Sequence, residues 1–184
     1  MTELASFGQL RASLIRWALF LVPGILLLGL LSGQFAGSGP DNPWFAALDK
    51  PDLYPPPGSF VIVWILLYVM MGVALAMVVS ARGAAARQVA IWAFVVQLVL
   101  NLAWSPLFFA AHQITAALGL LVVLDLAVLF TIAQFRKVRT VAALLLLPYL
   151  AWILFATYLT WELRAANPEM EGQDVSGAAT RIEF

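Results

Sequence analysis

The sequence predicts an all-α integral membrane protein, a bundle of five transmembrane helices, and three observations carry that reading. Of 184 residues, 63% are hydrophobic and 11% charged, where a soluble domain is about 45–50% apolar and about 25% charged. Mean hydropathy is +0.93, too high for a surface that faces water. Five mostly apolar stretches, separated by polar breaks, each reach the length of about 20 residues that a helix needs to cross a bilayer.

The predicted helices cover about 14–35, 59–80, 87–110, 114–135 and 140–163, and together they make one membrane domain, 1–163. In the first, Arg11 and Arg16 precede an apolar core from Trp17 to Leu31, a pattern shared with secretory signal peptides. The expectation is an uncleaved helix, kinked at Pro23-Gly24, where neighbouring helices re-satisfy the freed backbone groups. Between the first and second helices, residues 38–59 carry Pro40, Pro43, Pro51, Pro55, Pro56 and Pro57. Proline fixes φ, so this loop is stiff, and its unusual length marks it as a lid or binding loop. The other connections are short. Residues 164–184, with Asn167, Pro168, Glu169, Glu171, Gly172 and Asp174, lose hydrophobic periodicity and are expected to be a disordered tail.

Charge gives the bundle a direction. With five crossings, Arg11, Arg16, Arg82, Arg87, Arg136, Lys137 and Arg139 fall on the amino-terminal side, and Lys50, Arg164 and Arg181 on the other. Cytoplasmic loops retain Lys and Arg, so the amino terminus is expected in the cytoplasm and the carboxyl terminus outside; the expected location, which charge does not decide, is a bacterial cell membrane crossed several times. The net charge is +0, and no basic stripe interleaved with aromatics suggests nucleic acid. Cysteine is absent and His112 is the sole histidine, so no metal centre, disulfide framework or cysteine nucleophile is expected. His112 lies in the short break after the third helix and reads as a solvated interfacial residue.

Within the spans, Gln97, Asn101 and Trp104 at i, i+4 and i+7 share one face of the third helix. Amides inside hydrocarbon need partners, and spacing alone leaves open whether these hold helices together or line a cavity. Trp64, Tyr68 and Gly72 form a stripe on the second helix, as do Pro148, Trp152, Ala156 and Leu159 on the fifth. If these faces converge with Asn101, they make aromatic walls with a polar anchor, the usual composition of a small-molecule site. Asp125, near the middle of the fourth helix, should face the bundle interior or a subunit contact, since a charge there costs about 2.5–3.5 kcal/mol. No basic residue lies at its depth.

Three ordered blocks can then be read together. The first is Trp44-Phe45-Ala46-Ala47-Leu48-Asp49-Lys50-Pro51 with Tyr54-Pro55-Pro56, Val63-Trp64, Leu67-Tyr68 and Met71-Gly72. The second runs from Gln97 through Asn101 and Trp104-Ser105-Pro106 to Phe109, and the third is Pro148-Tyr149-Leu150-Ala151-Trp152 continuing through Phe155-Ala156-Thr157. From about Trp44 to Leu159 the chain resembles the TspO/MBR family, the tryptophan-rich sensory proteins that include the mitochondrial translocator protein. The resemblance implies a five-helix bundle in the lipid bilayer, commonly a homodimer, that binds porphyrins or sterol-like molecules beneath the loop joining helices one and two. Carried over motif by motif, Trp64, Tyr68, Asn101, Trp104, Phe108, Trp152, Ala156 and Leu159 would line the pocket, with Phe45 and Pro55 contributing from the loop. The chain departs from the family pattern at Gly58, Ile62, Thr160 and the run Ala111-His112-Gln113.

Three functions follow as expectations. One is a porphyrin-binding sensor or regulator of tetrapyrrole metabolism, needing no cofactor. The second is light- and oxygen-dependent porphyrin degradation, with the macrocycle as substrate and Trp152 and Trp64 as electron partners. The third is porphyrin or sterol transport, although inverted repeats and broken helix pairs are missing from the sequence.

Overall fold

The computed structural model describes residues 7–173 and is all-helical among them. Helix α1 spans Phe7–Phe35, the short α2 Pro43–Ala47, α3 Pro57–Ser80 and α4 Arg87–Ser105. A π-helical turn, Pro106–Ala110, extends α4; then come α5 Ile114–Val138, α6 Thr140–Leu144, α7 Leu147–Ala166 and a 3-10 turn Pro168–Met170. Five spans, Arg11–Phe35, Gly58–Ser80, Arg87–Ala110, Ile114–Val138 and Thr140–Ala166, are long and apolar enough to cross a membrane. The protein is therefore a five-helix transmembrane bundle.

The outward faces fit hydrocarbon rather than water. Phe20 on α1, Ile62 on α3, Trp92 and Val99 on α4, Leu126 on α5 and Trp161 on α7 are all more than half exposed. Such a continuous apolar exterior is what a bilayer accommodates. The core is filled by Met71, Phe94, Leu124, Phe135, Tyr149 and Ile153, all but fully buried.

Two glycines set the crossing of α1 on α3. A Cβ on Gly29 would stand 2.1 Å from the Tyr68 ring, and one on Gly72 would stand 2.7 Å from the Val22 Cα. Each helix thus receives a part of the other where a side chain is missing, the small-residue packing typical of membrane helices.

Prolines shape two departures from regular α-helix. Pro106 has no N–H for the Leu102 carbonyl four residues back, and the Ser32 hydroxyl of α1 donates to that carbonyl at 2.6 Å. Ser32→Ala is expected to cost about 1 kcal/mol, the net worth of one hydrogen bond, read as a lower unfolding midpoint in detergent. The last span is broken into α6 and α7 at Leu145-Leu146, and Pro148 sits in the first turn of α7, where its missing N–H is tolerated.

The expected disordered tail is corrected in part. Helix α7 continues to Ala166, and residues 167–173 fold back over the end of the bundle. Asn167 is 4% exposed, and its side chain pairs with the backbone of Asp49. Polar residues without a periodic pattern have become ordered here because Asn167 and Glu171 meet backbone and side-chain partners. Residues 174–184 lie outside the described residues, as does the placement of Arg181.

Candidate functional site

The loop between α1 and α3 folds into a lid around α2. Asn42 caps that helix, accepting from the Phe45 N–H at 3.0 Å, while its amide donates to the carbonyls of Gly37 and Phe109. Lys50 closes the other end, donating to the carbonyls of Phe45, Ala46 and Leu48 and lying 4.8 Å from the centre of the Phe45 ring. Its three protons are thus committed to the lid. Trp44, 1% exposed, and Phe45 point down from α2 onto Phe108.

Beneath the lid is a cavity of about 860 Å³, near the upper end of the size range for small-molecule sites. All ten residues singled out from the sequence reach it: Phe45 and Pro55 from the lid, Trp64 and Tyr68 from α3, Asn101 and Trp104 from α4, Phe108 from the π-turn, and Trp152, Ala156 and Leu159 from α7. The walls are flat and aromatic. Trp64 stacks on Tyr68 with centroids 5.1 Å apart, and Trp104 on Phe108 at 5.0 Å. Tyr54, stacked on Phe60 at 5.2 Å, continues the surface to Trp152, whose ring meets Phe60 edge-on. Burial pushes the Tyr54 hydroxyl up to about 12, so this phenol stays neutral at physiological pH.

The polar groups divide into two sets. Tyr68 donates to the Asn101 side-chain oxygen at 3.0 Å, and Tyr149 donates to that of Gln97, also at 3.0 Å. The amides on the shared face of α4 therefore do both things that spacing left open: each ties α4 to another helix, and Asn101 also lines the cavity. By contrast, the indole N–H groups of Trp104 and Trp152 are buried with no hydrogen-bond partner among the described residues. Buried donors are seldom left so, and both residues line the cavity. Asp125 faces the bundle interior, 8% exposed; one oxygen accepts from Thr157 at 2.9 Å and the other has no partner among the described residues. It is not among the residues lining the cavity.

The cavity also has walls that the sequence reading did not name, Gly29, Gly33 and Gln34 on α1, Phe60 on α3, and Leu121 and Leu124 on α5, and it is lined as well by Thr160 on α7, singled out there only as a departure from the family pattern. Gly29 and Gly33, four residues apart on one helical face, were the available signal for α1. For α5 the apolar residues give none. His112 departs from its expected solvated position. It is half-buried in a turn with φ +56°, its ring stacked on Trp44 at 4.5 Å.

Residues 20–165 match the TspO/MBR family. The chain is 38% identical to the tryptophan-rich protein TspO of Chlorobaculum tepidum over 149 residues, 78% of this chain and 94% of the relative. It is 33% identical to a tryptophan-rich sensory protein of Cereibacter sphaeroides over 151 residues, 82% of this chain and 92% of the relative. Against the translocator protein of Homo sapiens it is 37% identical over 135 residues, covering 70% of this chain and 80% of that one. Bundle, lid and aromatic cavity thus occur in a chain whose similarity to these proteins spans nearly all five helices: it belongs to the TspO/MBR family of membrane proteins.

Proposed function

We propose that the protein binds a porphyrin of the protoporphyrin IX type in the cavity under the lid and acts as a sensor or regulator of tetrapyrrole metabolism. The observation that carries this reading is the pairing of flat aromatic walls, Trp64 on Tyr68 and Trp104 on Phe108, with unpartnered indole donors at Trp104 and Trp152. Stacked rings favour a planar apolar ligand, since offset stacking contributes about 0.5–1.5 kcal/mol per aromatic pair beyond burial. The indole N–H groups select a ligand with acceptor atoms, as a tetrapyrrole has in its ring nitrogens and carboxyl groups and a hydrocarbon has not. No side-chain charge in the cavity is free for a ligand, because Lys50 is engaged by lid carbonyls. Carboxylates would therefore stay at the mouth while the macrocycle enters. The reading places the protein as a homodimer in a bacterial cell membrane, amino terminus in the cytoplasm and lid outside, in keeping with seven cations at the far end of the bundle.

The test is a titration of purified protein with protoporphyrin IX, followed by the Soret band. Saturable binding is expected, weakened about tenfold in Trp152→Phe, which keeps the ring and removes a donor worth about 1–2 kcal/mol. Affinity unaltered by Trp152→Phe and by Asn101→Ala would remove this cavity as the site.

A further inference from the structure

The segment that follows the last helix has no place in the binding reading, yet it is hydrogen-bonded to the lid at one end and to the bundle at the other. Asn167 leaves the helical conformation and Pro168 blocks its return, so the chain turns through the 3-10 turn Pro168–Met170 toward the lid. Asn167 and Asp49 bond reciprocally: the Asp49 N–H donates to Oδ1 at 2.8 Å and Nδ2 donates to the Asp49 carbonyl at 2.9 Å. Three residues on, the Met170 carbonyl accepts from the buried indole of Trp44 at 2.9 Å.

The other end of the segment is fixed to the bundle. Glu171 accepts from the N–H and hydroxyl of Thr115 at the start of α5 and pairs with Arg164 of α7 at 3.0 Å. Gly172, with φ +71° that suits a residue without Cβ, donates from its N–H to the His112 carbonyl at 2.9 Å. Among the described residues, lid residues 42–50 make four hydrogen bonds to residues beyond the loop itself. One runs from Asn42 to the Phe109 carbonyl, and the other three all go to Asn167 or Met170.

We propose that residues 167–173 are a strap that positions the lid, with Asn167 and Glu171 as positioning residues that set how fast the cavity opens to the outer side without touching what it holds. This deepens the porphyrin reading by naming what regulates that site, and it rests on that reading only for the identity of the ligand. The geometry is that of a clasp. Asn167 holds the end of the lid and Glu171 holds the strap to α5 and α7, so release at either point loosens the end of α2 that Asn42 does not tie to Phe109, while the five spans keep their own contacts. Local opening of a segment held by few bonds is governed by those bonds, not by global stability.

Because the native chain contains no cysteine, Ala156→Cys on the cavity wall gives a single reporter thiol. Its alkylation by a water-soluble maleimide is measured in lipid nanodiscs, with no ligand present. Asn167→Ala is expected to raise the rate at least about tenfold, the effect of losing one to two hydrogen bonds that hold the lid. Asn167→Asp, which keeps the acceptor and loses the donor, is expected to fall between. Glu171→Ala cuts the strap at its bundle anchor and carries the same test should Asn167→Ala not fold. Dissociation of protoporphyrin should accelerate in parallel. Alkylation unchanged in both Asn167→Ala and Glu171→Ala overturns the strap. Faster alkylation in a protein that takes up no protoporphyrin leaves the strap standing and overturns the ligand instead.

Discussion

Gly29→Leu is expected to weaken ligand binding more than about tenfold while the chain still inserts as five spans. The Tyr68 ring occupies the space where the side chain would begin, and even a Cβ would lie 2.1 Å from a ring carbon. Tyr68 has little freedom to yield, because it is stacked on Trp64 and its hydroxyl is held by Asn101. Displacing it breaks that bond and drives the ring or the new side chain into the cavity. Overpacking of this kind typically costs about 1–3 kcal/mol, so a moderate fall in unfolding midpoint should accompany a loss of protoporphyrin affinity of more than about tenfold. Gly72→Ala separates the two effects. Its nearest neighbour is backbone, the Val22 Cα at 2.7 Å, which cannot rotate away, so α1 must shift from α3. It should destabilise the bundle by a similar amount and affect binding only through that shift.

The second large effect concerns the bond between Tyr149 and Gln97. Tyr149 is fully buried on α7 and Gln97 1% exposed on α4, and the Gln97 amide nitrogen is already without a partner among the described residues. Tyr149→Phe leaves the whole amide unpaired in an apolar interior, an expected cost of about 1–3 kcal/mol. Replacing both partners, Tyr149→Phe with Gln97→Leu, should recover most of that loss, since an apolar pair of similar shape leaves nothing unsatisfied. Unfolding in detergent of the two single variants and the double checks this. A double variant as unstable as the sum of the singles would mean that the bond is not what joins α4 to α7 at this level.

The helices were legible in the sequence because a bilayer forces the issue: with no water to satisfy the backbone, apolar stretches of spanning length have few alternatives to helix. The cavity was legible for a related reason. Rows such as Trp64, Tyr68 or Trp152, Ala156 keep their faces along a helix, and the family motifs indicated which faces converge. Beyond these rows, local pattern carried less. The α1 wall depends on Gly29 and Gly33, which announce close approach but not the partner. The turn at Pro106 and the break before Pro148 are written as prolines, yet the Ser32 contact that completes the first comes from 70 residues away. The segment 167–173 was read as disorder because polar residues without a period look alike whether free or docked. Only the tertiary fold brings Asp49, Trp44 and Thr115 within reach of it.

A tetrapyrrole held between α3, α4 and α7 would shield a thiol placed on that wall. With Ala156→Cys in nanodiscs, alkylation by a membrane-permeant maleimide is followed with and without saturating protoporphyrin IX. The bound macrocycle is expected to slow the reaction at least about tenfold, as occupancy at tenfold excess over Kd requires. Alkylation at an unchanged rate while the Soret band reports full binding would place the porphyrin elsewhere and contradict it.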